Sequence, residues 1–172
     1  MSDKDVFVLR DIQSFTSITQ SIQKQKLHYK NIVIEQGVKE ANYHVSRQLQ
    51  IPLTTKIFYI KRLRIVEGKP KSIETNYIDY RLVEGFENID FNNRSFYQIL
   101  EEETGFHITR SEEEILVVEA KDDECEYLKK SKGSEILFVE GKTYQNESEL
   151  PLEYFELSCE PSFYRFRSVM KI

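Results

Sequence analysis

Cysteine, glycine and proline are scarce in this sequence, and each scarcity excludes a class of protein. The 172 residues include two cysteines, Cys125 and Cys159, which form no CxxC pair. A disulfide-stapled scaffold and a cysteine-based metal site are therefore excluded, and a reducing compartment is indicated. Six glycines and four prolines are dispersed along the chain, so no linker divides it. We predict one domain over residues 1–172, with enough hydrophobic residues (40%) for one core.

Long hydrophobic runs and surplus positive charge are also missing. No apolar run approaches the roughly 20 residues that a membrane-spanning helix needs, and the N-terminal stretch MSDKDVFVLRD lacks the apolar core of a signal peptide. We therefore expect a cytoplasmic protein without membrane contact. The formal net charge is −5. Such a chain binds nucleic acid poorly by itself, because duplex affinity depends on neutralising phosphates.

The sequence also lacks the patterns that support metal binding or catalysis. The three histidines, His28, His44 and His107, show no HxxxH or HxH spacing, so no metal site is predicted. No nucleophile motif accompanies a possible catalytic set, and we predict no catalytic residue and no cofactor. The acidic runs Glu101–Glu103 and Glu112–Glu114 are interpreted as solvated faces, because calcium loops need alternating acids with glycine.

Hydrophobic periodicity predicts an α+β protein with a mostly antiparallel sheet. A helix is predicted over Ile12–Lys26, with Ser14 or Thr16 as its cap. The order then runs strand, helix, strand, strand, helix, strand, helix and three strands. The helix RSFYQILEEETGF should end at Gly105, and EGKP should form the turn between the strands KIFYIKRLRIV and KSIETNYI.

An internal repeat appears when the sequence is shifted by 79 positions. The identities are Glu40-Ala41 on Glu119-Ala120, Leu49 on Leu128, Ile57 on Ile136, and Glu74 on Glu153. The order of predicted elements repeats as well. We predict two pseudo-equivalent βαββ halves, in which Glu74 and Glu153 occupy equivalent positions on two return strands. A cleft between such halves is a natural ligand site.

The hairpin from Tyr59 to Ile78 places two arginines on one side of a strand. If Glu67-Gly68-Lys69 forms a three-residue turn, Arg62 faces Glu74 and both arginines share a side with it. A two-residue turn would move Glu74 to the other side, and the sequence alone does not choose. The arginines form either an exposed ion pair with Glu74 or a cradle for a phosphate or carboxylate.

Several segments, in order, resemble the UTRA domain, the effector-sensing half of GntR-family regulators of the HutC subfamily. The segments are SFT (Ser14 to Thr16), KRLRIVEGKPKSIETNYI, RSFYQILEEETGFHI, EEEILVVEA and LPLEYFEL. The resemblance covers about residues 11–166. It implies a chorismate lyase-like fold, a central antiparallel sheet with flanking helices. It also implies a small-molecule effector, often a sugar phosphate or other small anion, and a homodimer formed through the sheet.

The resemblance also implies DNA binding through an N-terminal winged helix-turn-helix domain, which is absent from this chain. Its effector-binding residues carry over to eight positions: Phe15, Thr16, Arg62, Arg64, Glu74, Ser95, Tyr97 and Glu153. Phe15 and Thr16 match residues that hold the anionic end of the effector, and Ser95 opens a helix whose free N–H groups favour an anion. Glu74 and Glu153 match residues that accept hydrogen bonds from hydroxyl groups.

The sequence departs from the family pattern near its end. Cys159 stands where many members have a tyrosine, and Glu160–Phe163 replaces a charged run. One effector contact is therefore expected to be altered. Two alternatives to a sensor follow: a dimerisation module that no longer binds a ligand, and an enzyme resembling chorismate lyase in which the arginine pair holds a dicarboxylate.

Overall fold

A six-stranded antiparallel sheet forms the centre of the protein. The computed structural model describes residues 6–172, so the first five residues of the predicted domain lie outside the described part. The strands are β1 (Val8–Asp11), β2 (Tyr29–Glu40), β3 (Lys56–Val66), β4 (Lys69–Asp79), β5 (Ile108–Glu119), β6 (Glu135–Gln145), β7 (Glu153–Cys159) and β8 (Tyr164–Arg167). The sheet order is β2-β3-β4-β7-β6-β5, and all neighbours are antiparallel. Strands β1 and β8 form a separate parallel ribbon.

Four short α-helices flank the sheet in the described part of the chain. They are α1 (Ile18–Lys24), α2 (Tyr43–Leu49), α3 (Phe96–Thr104) and α4 (Asp122–Leu128). Two 3₁₀ turns, Tyr80–Leu82 and Phe86–Asn88, lead from β4 to α3. Helix α3 ends at Gly105, whose φ of 74° closes it as predicted. No helix over residues 6–172 is long and apolar enough to cross a membrane. The predicted α+β class is confirmed.

The two predicted halves are present as a pseudo-twofold arrangement. Strands β2 and β5, helices α2 and α4, and strands β3 and β6 are pairs whose members begin 79 residues apart. The halves meet at β4 and β7, where Glu74 lies opposite Leu157 and Ile78 lies opposite Glu153. Glu153 stands 79 residues after Glu74, and Leu157 stands 79 residues after Ile78, so the shift maps one cross-strand pair onto the other. Glu74 and Glu153 are therefore equivalent positions, as predicted.

The two faces of the sheet are covered differently. Helices α2 and α4 pack on one face, and α1, α3 and the β1–β8 ribbon pack on the other through two larger hydrophobic clusters. Along β3, Ile60 belongs to one of these larger clusters and Val66 to the other. Arg62 and Arg64 lie on the same face between them. Since a buried aliphatic side chain contributes about 1.5–3 kcal/mol, placing arginines there gives up hydrophobic stabilisation for a polar site.

The N-terminal segment differs from the prediction. Helix α1 begins only at Ile18, because a capping box fixes its start: the Ser17 hydroxyl accepts from the Gln20 amide, and the Gln20 side chain accepts from the Ser17 amide. The predicted caps, Ser14 and Thr16, lie in the connection that precedes the helix. Strand β1 was not predicted, because four residues carry little periodicity and its partner β8 lies at the other end of the chain.

The β3–β4 hairpin has a two-residue turn and nevertheless has the register that was expected of a three-residue turn. Glu67 and Gly68 form the turn with φ of 48° and 75°, and Val66 pairs with Lys69. Of the two turns that the sequence left open, the two-residue turn is therefore the one observed. A β-bulge then inserts Lys71 as an extra residue, which shifts the register by one. Beyond the bulge Arg62 faces Glu74, as expected.

Candidate functional site

Seven of the eight predicted effector-binding residues surround one small cavity. Its lining includes Phe15, Thr16, Arg62, Arg64, Glu74, Ser95 and Tyr97. The cavity has a volume of about 30 Å³, which is room for one or two water molecules. Pockets for metabolites are commonly ~300–1,000 Å³, so an effector must displace part of the lining.

Arg62 is held in place by the protein itself. Its Nη2 donates to Glu74 Oε1 at 3.1 Å, and its Nη1 donates to the backbone carbonyl of Arg94 at 3.0 Å. Its guanidinium carbon lies 5.7 Å from the ring centroid of Phe96. Burial lowers the pKa of Arg62 below its ordinary value, and Glu74 opposes this by favouring the charged form. Arg62 therefore fixes the start of α3 against the sheet.

Arg64 is equally buried but much less satisfied. Its side chain is 5% exposed, and its Nη2 lies 3.7 Å from Glu74 Oε2. Neither its Nε nor its Nη1 has a hydrogen-bond partner. A buried guanidinium with unpaired N–H groups is costly, and an anion is the species that would pair with it.

Glu74 stays ionised between the two arginines. Burial alone would raise the pKa of this carboxyl, but Arg62 and Arg64 outweigh burial and hold it below the ordinary value. One carboxylate thus faces two guanidinium groups, which leaves an excess of one positive charge. Because both oxygens already face arginines, Glu74 is less free to accept from a ligand hydroxyl than the sequence suggested.

Ser95 is the N-cap residue of α3, and its side chain makes no capping hydrogen bond. Its hydroxyl is therefore available in the cavity, next to the free backbone N–H groups of the first helical turn. The helix dipole favours negative charge at this end. Ser95 and Arg64 thus both offer hydrogen-bond donors to the same cavity.

Phe15 and Thr16 cover the cavity from the connection between β1 and α1. The Phe15 ring packs edge-on against Tyr97, with centroids 5.6 Å apart, although Phe15 is 43% exposed. Two open grooves of about 650 and 440 Å³ also reach Phe15 from other sides. The Phe15 side chain therefore stands between the small cavity and much larger volumes.

Glu153 lies outside the lining of this cavity, behind Tyr97. It is fully buried and accepts from Asn76 Nδ2 at 2.6 Å, Thr143 Oγ1 at 2.7 Å and Tyr97 Oη at 2.9 Å. Burial raises the pKa of Glu153 to about 7, against the opposing effect of these three donors. Glu153 is therefore connected to the cavity only through Tyr97, which lines the cavity and donates its hydroxyl to Glu153.

Eight further residues line the cavity and were missed, and four of them bear on its chemistry. Arg10 donates to Glu113 Oε1 at 3.1 Å, and Phe155 and Leu157 supply an apolar wall. Arg10 lies on the unpredicted strand β1. Glu113 belongs to an acidic run interpreted as solvated, and for this residue that interpretation is wrong. The alternation of a strand was the available signal, because it turns the middle glutamate of the run inward.

The equivalent position in the second half is closed. Gly141 stands 79 residues after Arg62, and Phe155 packs directly on it. A Cβ at Gly141 would lie 2.5 Å from the carbonyl oxygen of Glu112 and 2.6 Å from the Phe155 ring. Of the two equivalent positions in the fold, only the one in the first half therefore carries arginines beside a cavity.

The altered C-terminal run serves the core rather than the cavity. Cys159 is fully buried among Phe163 and Tyr164, and burial raises the pKa of its thiol. Glu160 accepts from Lys71 at 2.7 Å and from Lys130 at 3.0 Å. This residue therefore ties the bulge of the hairpin to the end of α4.

The fold is similar to that of solved domains from transcriptional regulators. The solved effector domain of PhnF from Mycobacterium smegmatis superposes with a TM-score of 0.86 at 15% identity, covering 96% of this chain and all of that one. The solved C-terminal domain of the histidine utilization repressor from Pseudomonas syringae superposes with a TM-score of 0.76 at 17% identity, covering 84% of this chain and all of that one. The architecture agrees with the chorismate lyase-like α+β fold expected from the sequence.

Sequence comparison identifies the family. An uncharacterized HTH-type transcriptional regulator, YydK of Bacillus subtilis, is 25% identical over 73% of this chain and 52% of its own length. The HTH-type transcriptional repressor STM4068 of Salmonella typhimurium is 24% identical over 82% of this chain and 58% of its own length. The chain thus spans little more than half the length of these relatives, which are regulators and not enzymes. The UTRA domain family matches residues 24–165, and the chain therefore belongs to this family of effector-binding domains from GntR-type regulators.

Proposed function

We propose that this domain senses a small anionic metabolite, with sugar phosphates as the first class to test, in the cavity beside Arg64. The observation that carries the proposal is the buried Arg64 guanidinium with two unpaired N–H groups. A buried charge that is only partly compensated, as Arg64 is by the shared Glu74, is destabilising, and an anionic ligand would reduce that cost. Ser95 and the first turn of α3 supply further donors on the same volume.

Effector entry requires the Phe15–Thr16 cover to move. The cavity of about 30 Å³ is too small for a sugar phosphate, and the two neighbouring grooves both reach Phe15. Displacement of the Phe15 ring would join these volumes. Binding is therefore coupled to the position of the connection between β1 and α1, a segment outside the regular secondary structure.

We further propose that the domain forms a homodimer through the sheet, by pairing of strand β5 with the same strand of a second copy. Within the described residues β5 is an edge strand that pairs with β6 alone. Its residues Ile115, Leu116 and Val117 are 40%, 46% and 62% exposed. A long edge strand with adjacent exposed aliphatic residues is a template for strand pairing.

In a complete cytoplasmic regulator, the effector would act by population shift. A winged helix-turn-helix domain outside this chain would bind DNA, and the effector would favour one arrangement of the dimer over another. The small cavity also suits a second candidate, a dimerisation module that binds no effector. The two candidates differ in ligand-dependent stability.

A thermal-shift screen separates the two candidates. The panel holds sugar phosphates, the corresponding free sugars and small carboxylates. A ligand at about 100 times its Kd adds about 2.7 kcal/mol to the free energy of unfolding, which raises the melting temperature visibly. A sensor responds to a sugar phosphate and not to its free sugar. If no compound in the panel changes the melting temperature, the ligand-silent module is the better account.

A further inference from the structure

A second cavity lies on the face of the sheet opposite the candidate effector cavity, between the hydrophobic clusters of α2 and α4. Its volume is about 220 Å³, below the ~300–1,000 Å³ of pockets for drug-sized ligands. Apart from Ile73, every residue of its lining carries a charge or a hydroxyl group. The cavity therefore suits a small polar molecule.

The floor of this cavity is a polar row across the sheet. Its members are successive cross-strand neighbours on β2, β3, β4 and β7, namely Glu35, Lys61, Thr75 and Glu156. Two residues further along their strands, Tyr59 and Tyr77 face each other, so both rings stand on the same face beside the row. We call these two rings the tyrosine wall. The ammonium group of Lys61 is already paired with Asp123 at 2.7 Å.

The tyrosine wall already holds an ammonium group of the protein. Lys39 Nζ lies 3.9 Å from the ring centroid of Tyr59 and 5.6 Å from that of Tyr77. Both distances are within the range of cation–π attraction. Lys39 is an exposed residue, so its side chain can leave the wall without opening the core. The wall thus accepts a cation, and its present occupant is replaceable.

Two carboxylates beside the tyrosine wall have no cationic partner. Within residues 6–172 neither Glu35 nor Glu156 forms an ion pair. The Tyr59 hydroxyl donates to Glu35, and this hydrogen bond raises the pKa of Tyr59 to about 12. Burial raises the pKa of Tyr77, and the charges of Glu156 and Glu35 raise it further. The lining has four carboxylates against three lysines, so the potential at the wall favours a cation.

Glu156 is also short of hydrogen-bond donors. It lies 3.0 Å from the Tyr154 hydroxyl oxygen, and Glu140 lies 2.8 Å from the same oxygen. A tyrosine hydroxyl has one hydrogen, so it donates fully to only one of these carboxylates. His44 Nε2 approaches Tyr154 and Glu140 but not Glu156. Because the Tyr154 ring stacks on Tyr77 with centroids 5.7 Å apart, this carboxylate lies next to the tyrosine wall.

We infer that the tyrosine wall, together with Glu35 and Glu156, forms a site for a small aliphatic ammonium cation that replaces the Lys39 side chain. The ring faces and the two carboxylates attract positive charge, and a primary ammonium group supplies three hydrogen-bond donors. No group of histidine, cysteine or acidic residues within residues 6–172 is arranged to hold a metal ion, so the matching class is an organic cation. The site is independent of the proposed anion sensing.

n-Butylamine tests the site, because it reproduces the end of a lysine side chain, and n-butanol is its neutral counterpart. An NMR titration measures the affinity of each from the ring signals of the tyrosine wall. Lys39→Met empties the wall and keeps the length of the side chain, so it should bind n-butylammonium about fivefold more tightly than the wild type. Lys24→Met, at an exposed position of α1, is the matched control and should bind as the wild type does.

Two substitutions of Tyr59 in the Lys39→Met protein separate the ring from its hydroxyl. Tyr59→Leu removes the ring and should weaken binding about fivefold or more. Tyr59→Phe keeps the ring and frees Glu35, so its affinity should be equal or higher. Failure of Lys39→Met to bind n-butylammonium, equal binding of n-butanol, or unchanged affinity in Tyr59→Leu would each overturn the site. These outcomes leave the anion proposal intact, since its test uses Arg64 on the opposite face.

Discussion

At the scale of single residues, the two strand arginines have different roles although the sequence presents them as a pair. Arg62 is bound to the protein through Glu74 and the Arg94 carbonyl, whereas Arg64 keeps two unpaired N–H groups. Spacing along a strand predicts which side chains share a face. It does not predict which of them is already engaged, because that depends on a carbonyl 32 positions away in the chain.

This difference gives a stability prediction for matched substitutions. Arg62→Gln removes two hydrogen bonds and leaves Glu74 with a more distant partner, so the free energy of unfolding should fall by about 3 kcal/mol. Arg64→Gln removes a poorly satisfied buried charge and should leave that free energy unchanged or higher. Urea unfolding of both variants in phosphate-free buffer measures the difference. Equal losses would show that the two arginines are equally engaged.

Glu153 gives a pH prediction whose sign follows from its buried position. Its pKa is about 7 in the folded protein and about 4.3 in an unfolded chain. The folded state therefore holds the proton more tightly, and the free energy of unfolding falls as pH rises from about 4.5 to about 7. The total loss is about 4 kcal/mol. Above pH 7 this contribution changes little further.

The substitution Glu153→Gln tests that prediction, because glutamine keeps the shape and has no titrating group. Unfolding free energies at pH 5.5 and 8 should differ less in the variant than in the wild type. Other titrating groups contribute to both proteins and cancel in the comparison. Glu74 does not interfere, since its lowered pKa places its own contribution below this pH range. An equal pH dependence in the two proteins would place the Glu153 pKa near its ordinary value.

At the scale of elements, the sequence predicts best where β-branched and aromatic residues form a long run and worst where partners are distant. Strand β3 was predicted over the residues that it occupies, because Lys56–Val66 is rich in such residues. The 79-residue repeat correctly predicted the two halves. The start of α1 was wrong because three hydroxyl residues, Ser14, Thr16 and Ser17, compete as caps. Only Ser17 has a glutamine three positions later that completes a capping box.

The prediction of the candidate site was also limited by contacts between residues that are distant in the sequence. Seven predicted residues line the cavity, but Arg10 and Glu113 were missed, because they meet across 103 positions of sequence. The sequence left the hairpin turn open between three residues and two. The two-residue turn is observed, and the bulge at Lys71 compensates for it, so that Arg62 still faces Glu74. Local turn chemistry favours Glu67-Gly68 as a tight turn. It carries no signal for a bulge that lies beyond the turn.

The packing of Phe155 on Gly141, the position equivalent to Arg62, gives a stability prediction. Gly141→Ala places a Cβ 2.5 Å from the Glu112 carbonyl oxygen, which cannot yield without disturbing the β5–β6 pair. The free energy of unfolding should fall by about 1–3 kcal/mol or more. Gly37→Ala is the matched control, because its nearest neighbour would be Tyr59 at an ordinary 3.5 Å. Similar losses in the two variants would contradict close packing of Phe155 on Gly141.

At the scale of the whole molecule, the two proposed functions are assigned to different parts of the pseudo-twofold fold. The candidate effector cavity lies on one face between two hydrophobic clusters, and the proposed dimer surface is the β5 edge. Strand β5 contributes to both, because Glu113 lines the cavity and Val117 is exposed further along the same strand. A ligand that shifts Glu113 through Arg10 therefore acts directly on the strand proposed to pair.

The dimer proposal is tested by a charge on that edge. Val117→Lys introduces an ammonium group at a 62% exposed position, and two such groups would meet near the axis of paired β5 strands. Sedimentation should show a dimer for the wild type and a shift towards monomer for the variant. Arg47→Gln, on the exposed side of α2, is the control and should remain dimeric. A wild-type monomer, or a variant dimer of unchanged affinity, would exclude this surface.

The role of Arg64 in anion binding is tested by a calorimetric titration of the anion that most stabilises the wild-type domain, into Arg64→Gln and into the control Arg47→Gln. The control should bind with wild-type affinity. Arg64→Gln should bind at least tenfold more weakly, because the loss of a charge-assisted contact costs at least that factor. Wild-type affinity in Arg64→Gln would instead show that the effector binds elsewhere.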